Sequence, residues 1–470
     1  MKKTKIICTM GPACANHETL TKMVQAGMNV ARFNFSHGSH EEHRVNVNLV
    51  KQVREELNTP IALMLDTKGP EFRIGTFANG SVEFVPGAPF TLTAEPVAGD
   101  ETQVSVSCPE IIDRLAVGDQ ILINDGLVSV VVKERTAAEA ICQVVDGGKL
   151  SNHKSMSFPN KLLHTDYLSQ QDQADLLFGI EMDVDYVSAS FVSTAQDVLD
   201  LRSFLNENGG EKIQIIAKIE NRSGVDNAEA ILDRCDGIMV ARGDLGVEIP
   251  YEELPPIQKQ LIITCLRRGK VVITATEMLE SMTEKPRPTR AEISDVANAV
   301  YDGTSAVMLS GETAAGKYPV EAVSAMSRIA VETEKHIHYD RRFRKADFTL
   351  YNSNDAMSHG ACSLAIDVGA AAIVACTLSG NTARQVSRFR CPKPIIGLTT
   401  SQKVWNQLAL AWNVFPAMSE QFPSVDVLLY YAVNAAQTSG LVEKGQHIII
   451  TAGRINGTSG NTDLIRMEEV

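Results

Sequence analysis

The sequence contains no apolar run long enough to cross a membrane, since a helical span needs about 20 consecutive apolar residues. It also has no CxxC pair. Its nine cysteines are scattered and odd in number, which argues against a disulfide framework or a zinc site and for a reducing, cytoplasmic setting. Basic residues are not in excess. The formal charge is -13, and without a local basic patch the phosphates of a nucleic acid would be repelled. The opening MKKTK is followed by too few apolar residues before Gly11-Pro12 to read as a signal peptide. No Walker-type GK[ST] occurs, which argues against P-loop nucleotide hydrolysis.

What is present is a long chain with ample core. At 470 residues and 44% hydrophobic content, two to three domains are expected. Strand and helix alternate from the start: KIICTM, NVARFNF and IALML read as strands, with helical segments at 17–26 and 40–57 between them. From Glu71 to about Tyr167 the helical period disappears, leaving short β-branched runs split by turn pairs such as Pro86-Gly87 and Asp125-Gly126. The alternation resumes at Leu168, with strands at 184–190, 213–219, 237–240, 271–275 and 306–309. Three strands before the insert and five after it make eight. The fold class is therefore α/β: a (β/α)₈ TIM barrel over 1–70 and 168–345, an inserted all-β lid, itself a small β-barrel, over 71–167, and a C-terminal α/β regulatory domain over 346–470. An open doubly wound sheet is the alternative. The C-terminal domain reads as four strands, at 372–376, 395–398, 412–415 and 447–451.

Chemistry is concentrated at the strand ends, where α/β folds assemble their sites. Strand two ends in Arg32-Phe33-Asn34-Phe35-Ser36, strand three in Asp66-Thr67 and strand five in Lys218 and Glu220. Strand six ends in Gly243-Asp244, strand seven in Thr276-Glu277 and strand eight in Ser310-Gly311-Glu312. Lys218 and Glu220, two apart, share one side of a strand. Two carboxylates suit Mg²⁺, a hard cation that takes oxygen ligands. A lysine and an arginine beside them suit a small phosphorylated anion, and phosphoryl transfer depends on positioning and charge neutralisation. Each residue has a structural alternative. Glu220 can start a helix, Asp244 can cap a turn, Lys218 can pair with Glu220, and Arg32 can be a rim ion-pair partner. His37 and His40 read as loop or helix-start residues.

The segments TKIICTMGPA, VARFNFSHG, LDTKGPEFRIG, IIAKIEN, MVARGDLGVEIP, TATEMLESM, RAEISDVANAV and MLSGETAAGKYP, in this order, resemble the pyruvate kinase family. The resemblance covers nearly the whole chain. It implies transfer of a phosphoryl group from phosphoenolpyruvate to ADP, giving pyruvate and ATP, with Mg²⁺ and K⁺ as cofactors and a homotetramer as the assembly. It places Mg²⁺ on Glu220 and Asp244, the phosphoryl group on Arg32, and the substrate carboxylate near Gly243, Asp244 and Thr276. Lys218 would stabilise the transferring phosphoryl and the enolate, with Thr276 and Ser310 near the final proton transfer. Asn34, Ser36, Asp66 and Thr67 match the K⁺ ligands, and Glu71 is the acidic variant associated with K⁺ dependence. Asn34, Ser36, His37, Arg73 and Lys154 would contact the nucleotide. Around Lys154 the chain reads KSMSFPN where the family often has KGVNLPG, which weakens that contact.

Ser379-Gly380-Asn381-Thr382 opens a helix and offers hydroxyls and free N–H groups to an anion. A glycine-rich stretch with Arg454, Gly457 and Thr458 can close over it. By resemblance this is the effector site for a sugar phosphate such as fructose 1,6-bisphosphate; two surface turns are the alternative. The tryptophan and arginine of some animal forms are missing around 424–428, which leaves the effector open. Two rival functions remain at this level: a metal-dependent lyase or aldolase on the same barrel, and a sugar-phosphate sensor with an inactive barrel.

Overall fold

The structure, a computed structural model, describes residues 1–159, 161, 167–453 and 462–470. Eight parallel strands close into a barrel: Lys5–Thr9, Val30–Asn34, Ala62–Asp66, Tyr186–Ala189, Gln214–Ile219, Gly237–Ala241, Val271–Ala275 and Ala306–Leu309. Around the ring each strand pairs with its sequence neighbours, and the first pairs with the eighth. The open-sheet alternative is thereby excluded. Each strand is a short apolar run buried on both faces, as parallel strands covered by helices must be. Capping boxes at Ser39, Ser169, Thr194 and Thr289 start the helices that follow the loops, satisfying N–H groups that the first turn leaves without partners.

Among its described residues the insert is all-β apart from one 3-10 turn at Pro109–Arg114. Its main sheet has seven strands, and an isolated bridge between Ile74 and Val106 ties the two edges together. The C-terminal unit holds a five-stranded sheet, four strands parallel and the last, Thr462–Glu469, antiparallel. That fifth strand is one more than the sequence pattern predicts. Its residues, TDLIRMEE, are mostly polar and exposed at the sheet's edge, so no apolar run marks it.

The barrel interior is packed by Ile7, Met64, Ile216, Met239 and Met308, and its N-terminal mouth is plugged from outside the barrel. Ala409 and Leu410, on the 3-10 turn Leu408–Leu410 of the C-terminal unit, belong to the same buried cluster. The Tyr186 hydroxyl, inside the mouth, donates to the Gln407 carbonyl at 2.7 Å. Replacing Leu410, which is fully buried, leaves a cavity at this seam. Leu410→Ala is expected to destabilise the protein by about 2–5 kcal/mol, read from the shift in urea midpoint. A loss under about 1 kcal/mol would mean that the plug does not pack the barrel.

Candidate active site

Four charged side chains meet at the carboxyl ends of strands two, three and five. Arg32 Nε donates to Asp66 Oδ2 at 2.6 Å, and an Arg32 Nη1–H reaches the Thr9 hydroxyl at 3.0 Å. Lys218 Nζ lies 3.1 Å from Asp66 Oδ1 and 2.9 Å from Glu220 Oε1, and donates to the Ser190 hydroxyl at 2.7 Å. Register explains the meeting. Asn34 pairs with Asp66, Ser188 with Asp66 and Ala189 with Ala217, so neighbouring strands end at one level.

Burial alone would lower the Lys218 ammonium, but Asp66 and then Glu220 outweigh it and hold it well above the usual lysine range. Burial pushes Asp66 upward, yet Arg32 and Lys218 hold its carboxyl below the usual range. For Glu220, burial and the nearby Asp244 charge exceed the pull of Lys218, and its carboxyl is pushed up to about 7.

The far side of the site is built on unusual backbone. Thr276 and Glu277, just past strand seven, have φ of 67° and 53°. A β-branched residue in the left-handed region is strained. The strain is held by specific bonds: the Thr276 hydroxyl donates to the Ala275 carbonyl at 2.6 Å and accepts from the Gly243 N–H at 2.7 Å. Asp244 sits in the first turn of the helix Arg242–Glu248 and is exposed to the cleft. Ser310 follows strand eight, beside strand seven. Its hydroxyl is buried with no hydrogen-bond partner, and its N–H donates to Glu312 at 2.7 Å.

These residues fit a hard divalent cation. Glu220 Oε2 accepts the Phe191 N–H at 2.5 Å, and Oε1 faces the Lys218 ammonium at 2.9 Å. A cation on Glu220 would share Oε1 with that ammonium, with the Asp244 charge nearby. Among the described residues no cluster of three or more His, Cys, Asp or Glu can hold a metal. That suits a cation held by two carboxylates with substrate and water oxygens completing its shell.

Above the cluster, a cleft of about 480 Å³ between insert and barrel is lined by Arg73, Lys154, Glu71, Asp244 and Arg222, among others. Arg73 pairs with Glu71 at 2.6 Å, and pairing of Arg73 with Ser155 sets Lys154 beside it. Asn34, Ser36 and His37 lie outside that lining, Asn34 at the end of strand two and the other two on the turn after it, where Ser36 N–H donates to Asn34 Oδ1 at 3.2 Å. Of the five nucleotide candidates the structure brings only Arg73 and Lys154 together. Among the K⁺ candidates, Asn34 and Asp66 are register partners and Thr67 follows, while the Asp66 carboxylate already faces Arg32 and Lys218.

In the C-terminal unit, Ser379 and Gly380 precede the helix Asn381–Arg388, and Gly380 has φ 80°. The Thr382 hydroxyl is buried and bonds that of Thr462 at 3.1 Å, so it faces the next strand as well as the helix start. Arg454, Gly457 and Thr458 lie outside the described residues.

Sequence reasoning did not single out three participants: the Thr9 hydroxyl, the Phe191 N–H and Ser190. Ser190 directly follows strand four, and the strand-end rule that found the others would have found it too.

Two family models match the chain: "Pyruvate kinase, barrel domain" over residues 1–323 and "Pyruvate kinase, alpha/beta domain" over residues 355–468. The chain is 46% identical to a pyruvate kinase of Clostridium acetobutylicum, over all of both chains. It is 42% identical to one of Clostridium perfringens, again over all of both chains. It is 45% identical to one of Geobacillus stearothermophilus, covering all of this chain and 80% of that relative.

A divalent cation taken by Glu220 must displace the proton that a carboxyl held near pH 7 carries below that pH. Raising pH through 7 frees the ligand; lowering it protonates the ligand. Affinity for Mn²⁺, measured by titration calorimetry without substrate, is expected to fall about tenfold from pH 8 to pH 6. Equal affinity at both would remove Glu220 from the ligand set.

Proposed function

Because the chain belongs to the pyruvate kinase family, we propose that it transfers the phosphoryl group of phosphoenolpyruvate to ADP, yielding pyruvate and ATP, at the lysine–carboxylate cluster. The observation carrying this reading is the Lys218 ammonium, kept charged between Asp66 and Glu220 with the Arg32 guanidinium beside it on Asp66.

In the proposed reaction the bond from phosphorus to the enol oxygen breaks as one to a β-phosphate oxygen of ADP forms. The oxygen left behind is an enolate. Lys218 faces that developing charge; a unit charge about 4 Å away at an effective dielectric of 20 contributes ~4 kcal/mol. Arg32 holds the phosphoryl group, and the Gly243–Asp244 turn with Thr276 holds the substrate carboxylate. Glu220 and Asp244 would hold Mg²⁺, which when bound would supply further positive charge to the reaction. The enolate then takes a proton at its methylene carbon. Thr276 and Ser310 follow neighbouring strands and are the groups assigned to orient the water or relay that proton.

Arg73 and Lys154 are the proposed nucleotide contacts in the cleft, with Asn34, Ser36 and His37 approaching from the turn after strand two. K⁺ is assigned to Asn34, Ser36, Asp66 and Thr67. The insert acts as a lid that excludes water from the phosphoryl donor. Its Phe158 N–H donates to Glu248 of the barrel at 3.2 Å. Ser379–Thr382 form the proposed sugar-phosphate effector site. All nine cysteines are unpaired, which supports a reducing cytoplasm, and no helix among the described residues is long and apolar enough to cross a membrane. A homotetramer is the proposed assembly.

Lys218→Met is expected to lower ADP-dependent pyruvate formation about a thousandfold, the equivalent of the 4 kcal/mol above. Turnover within tenfold of the parent would reject the assignment, and ADP-independent turnover would favour a lyase. At the second site, Ser379→Glu sets a carboxylate where the phosphate of fructose 1,6-bisphosphate would lie. The ratio of activated to unactivated rate is expected to fall to one, whereas an unchanged ratio would reject the effector site.

A further inference from the structure

A second cavity, of about 370 Å³, lies between the barrel and the C-terminal unit and shares no lining residue with the cleft above. Its walls are largely apolar, with Ile263 and Leu266 from a barrel helix, Phe343 and Phe348 from the connecting segment, and Phe389 and Trp412 from the C-terminal unit; Asp302, Asp347 and several arginines also line it. The aromatic rings are already set around one another. Tyr339 and Trp412 have centroids 5.3 Å apart, Phe343 and Phe348 5.3 Å, and Phe348 and Phe389 5.0 Å. The volume lies in the range of small-molecule sites.

Among the charged side chains of this lining, Arg390 has no counter-ion and one donor without an acceptor. The Arg390 guanidinium stacks 4.5 Å from the Trp412 ring centroid. Its terminal nitrogens donate to the carbonyls of Ser387 and Gly303 and to the Ser305 hydroxyl. Its Nε–H is buried without an acceptor. Among the described residues no carboxylate lies within ion-pairing distance of it. Arg388, in the same lining, is by contrast paired with Asp355 at 3.0 Å. Burial pushes the Arg390 guanidinium down to about 9, with Tyr339 and Cys265 opposing it and no carboxylate among its causes. A cation kept from water without a partner is costly, and an anion entering the cavity would relieve that cost.

We propose that this cavity binds a small aromatic anion, a carboxylate on a flat fused ring, with its acid group on Arg390 and its ring among Phe343, Phe389 and Trp412. The aromatic walls select a flat apolar body, and the arginine selects the charge. Such a ligand would touch both the barrel and the C-terminal unit.

The test uses the full-length protein and two probes, 1-naphthoate and its uncharged analogue 1-naphthalenemethanol, titrated by calorimetry. The parent is expected to bind naphthoate at one site per chain and at least about tenfold more tightly than the alcohol. Arg390→Gln should bring the two probes to equal affinity. Because that variant also loses structural hydrogen bonds, Ala346→Trp, which fills the cavity from the connecting segment, provides the second arm and should abolish naphthoate binding. Equal affinity of the parent for both probes, no binding, or naphthoate binding unchanged by Ala346→Trp would overturn the proposal.

Discussion

The proposed site rests on a buried, charge-balanced quartet: Arg32 and Lys218 against Asp66 and Glu220, none more than 8% exposed. Removing charges from water costs several kcal/mol each, and only close mutual pairing offsets it. That pairing exists because the closed barrel ends its strands at one level. A one-residue slip in any strand would turn its side chains to the opposite face, stranding a charge in the barrel wall. Lys218 is close to Asp66, Glu220 and Ser190 at once, so it can meet an incoming oxygen only by giving up one of them. The quartet therefore holds the lysine charged and positioned before substrate arrives, which is what electrostatic preorganisation requires.

The same rim carries strained backbone. Phe191, Thr276 and Glu277 all have positive φ, and each directly follows a barrel strand or the residue after one. At Phe191 and Thr276 the geometry delivers a polar group to the site. At Phe191 it turns an N–H onto Glu220. At Thr276 it turns a hydroxyl onto the Gly243 N–H. Left-handed conformations in non-glycine residues cost on the order of 1–3 kcal/mol each, and the packed strands beneath are what keep them from relaxing.

Much of this was legible in the residues. The eight strands read as short apolar runs, and their last residues name most of the quartet. What escaped was information that local pattern does not carry. Asp244 reads as a strand end but begins a helix, because two glycines in RGDLGVE mask helical propensity. The last strand, Thr462–Glu469, has only Leu464, Ile465 and Met467 as apolar residues, too few and too scattered to mark it, and it pairs with His447–Gly453. The barrel plug, Ala409 and Leu410, sits more than two hundred positions from Tyr186, and its apolar residues look like any other domain's core. Ser190 was visible as a strand terminus, but serine ends too many strands to be distinctive without the Lys218 ammonium beside it.

The plug also bears on how a C-terminal effector site can matter to a barrel. Strand four begins at Tyr186, whose hydroxyl is bound to Gln407 of the plug, and runs into Ser190, whose hydroxyl accepts from Lys218. At about 3.3 Å per residue, that strand joins the two ends of the barrel over roughly 13 Å. Lys5 adds a second tie, donating to the Val414 carbonyl at 2.6 Å from strand one. Strands in a closed parallel barrel are fixed by neighbours on both sides, so a shift of the plug cannot be absorbed by bending one strand. It must either break the Tyr186 and Lys5 bonds or move strands one and four as units against their neighbours. The second course would change the height of Thr9 and Ser190 relative to Arg32 and Lys218, the contacts that hold the quartet's cations in place. A displacement of the plug from the proposed effector site would reach the barrel through these two bonds.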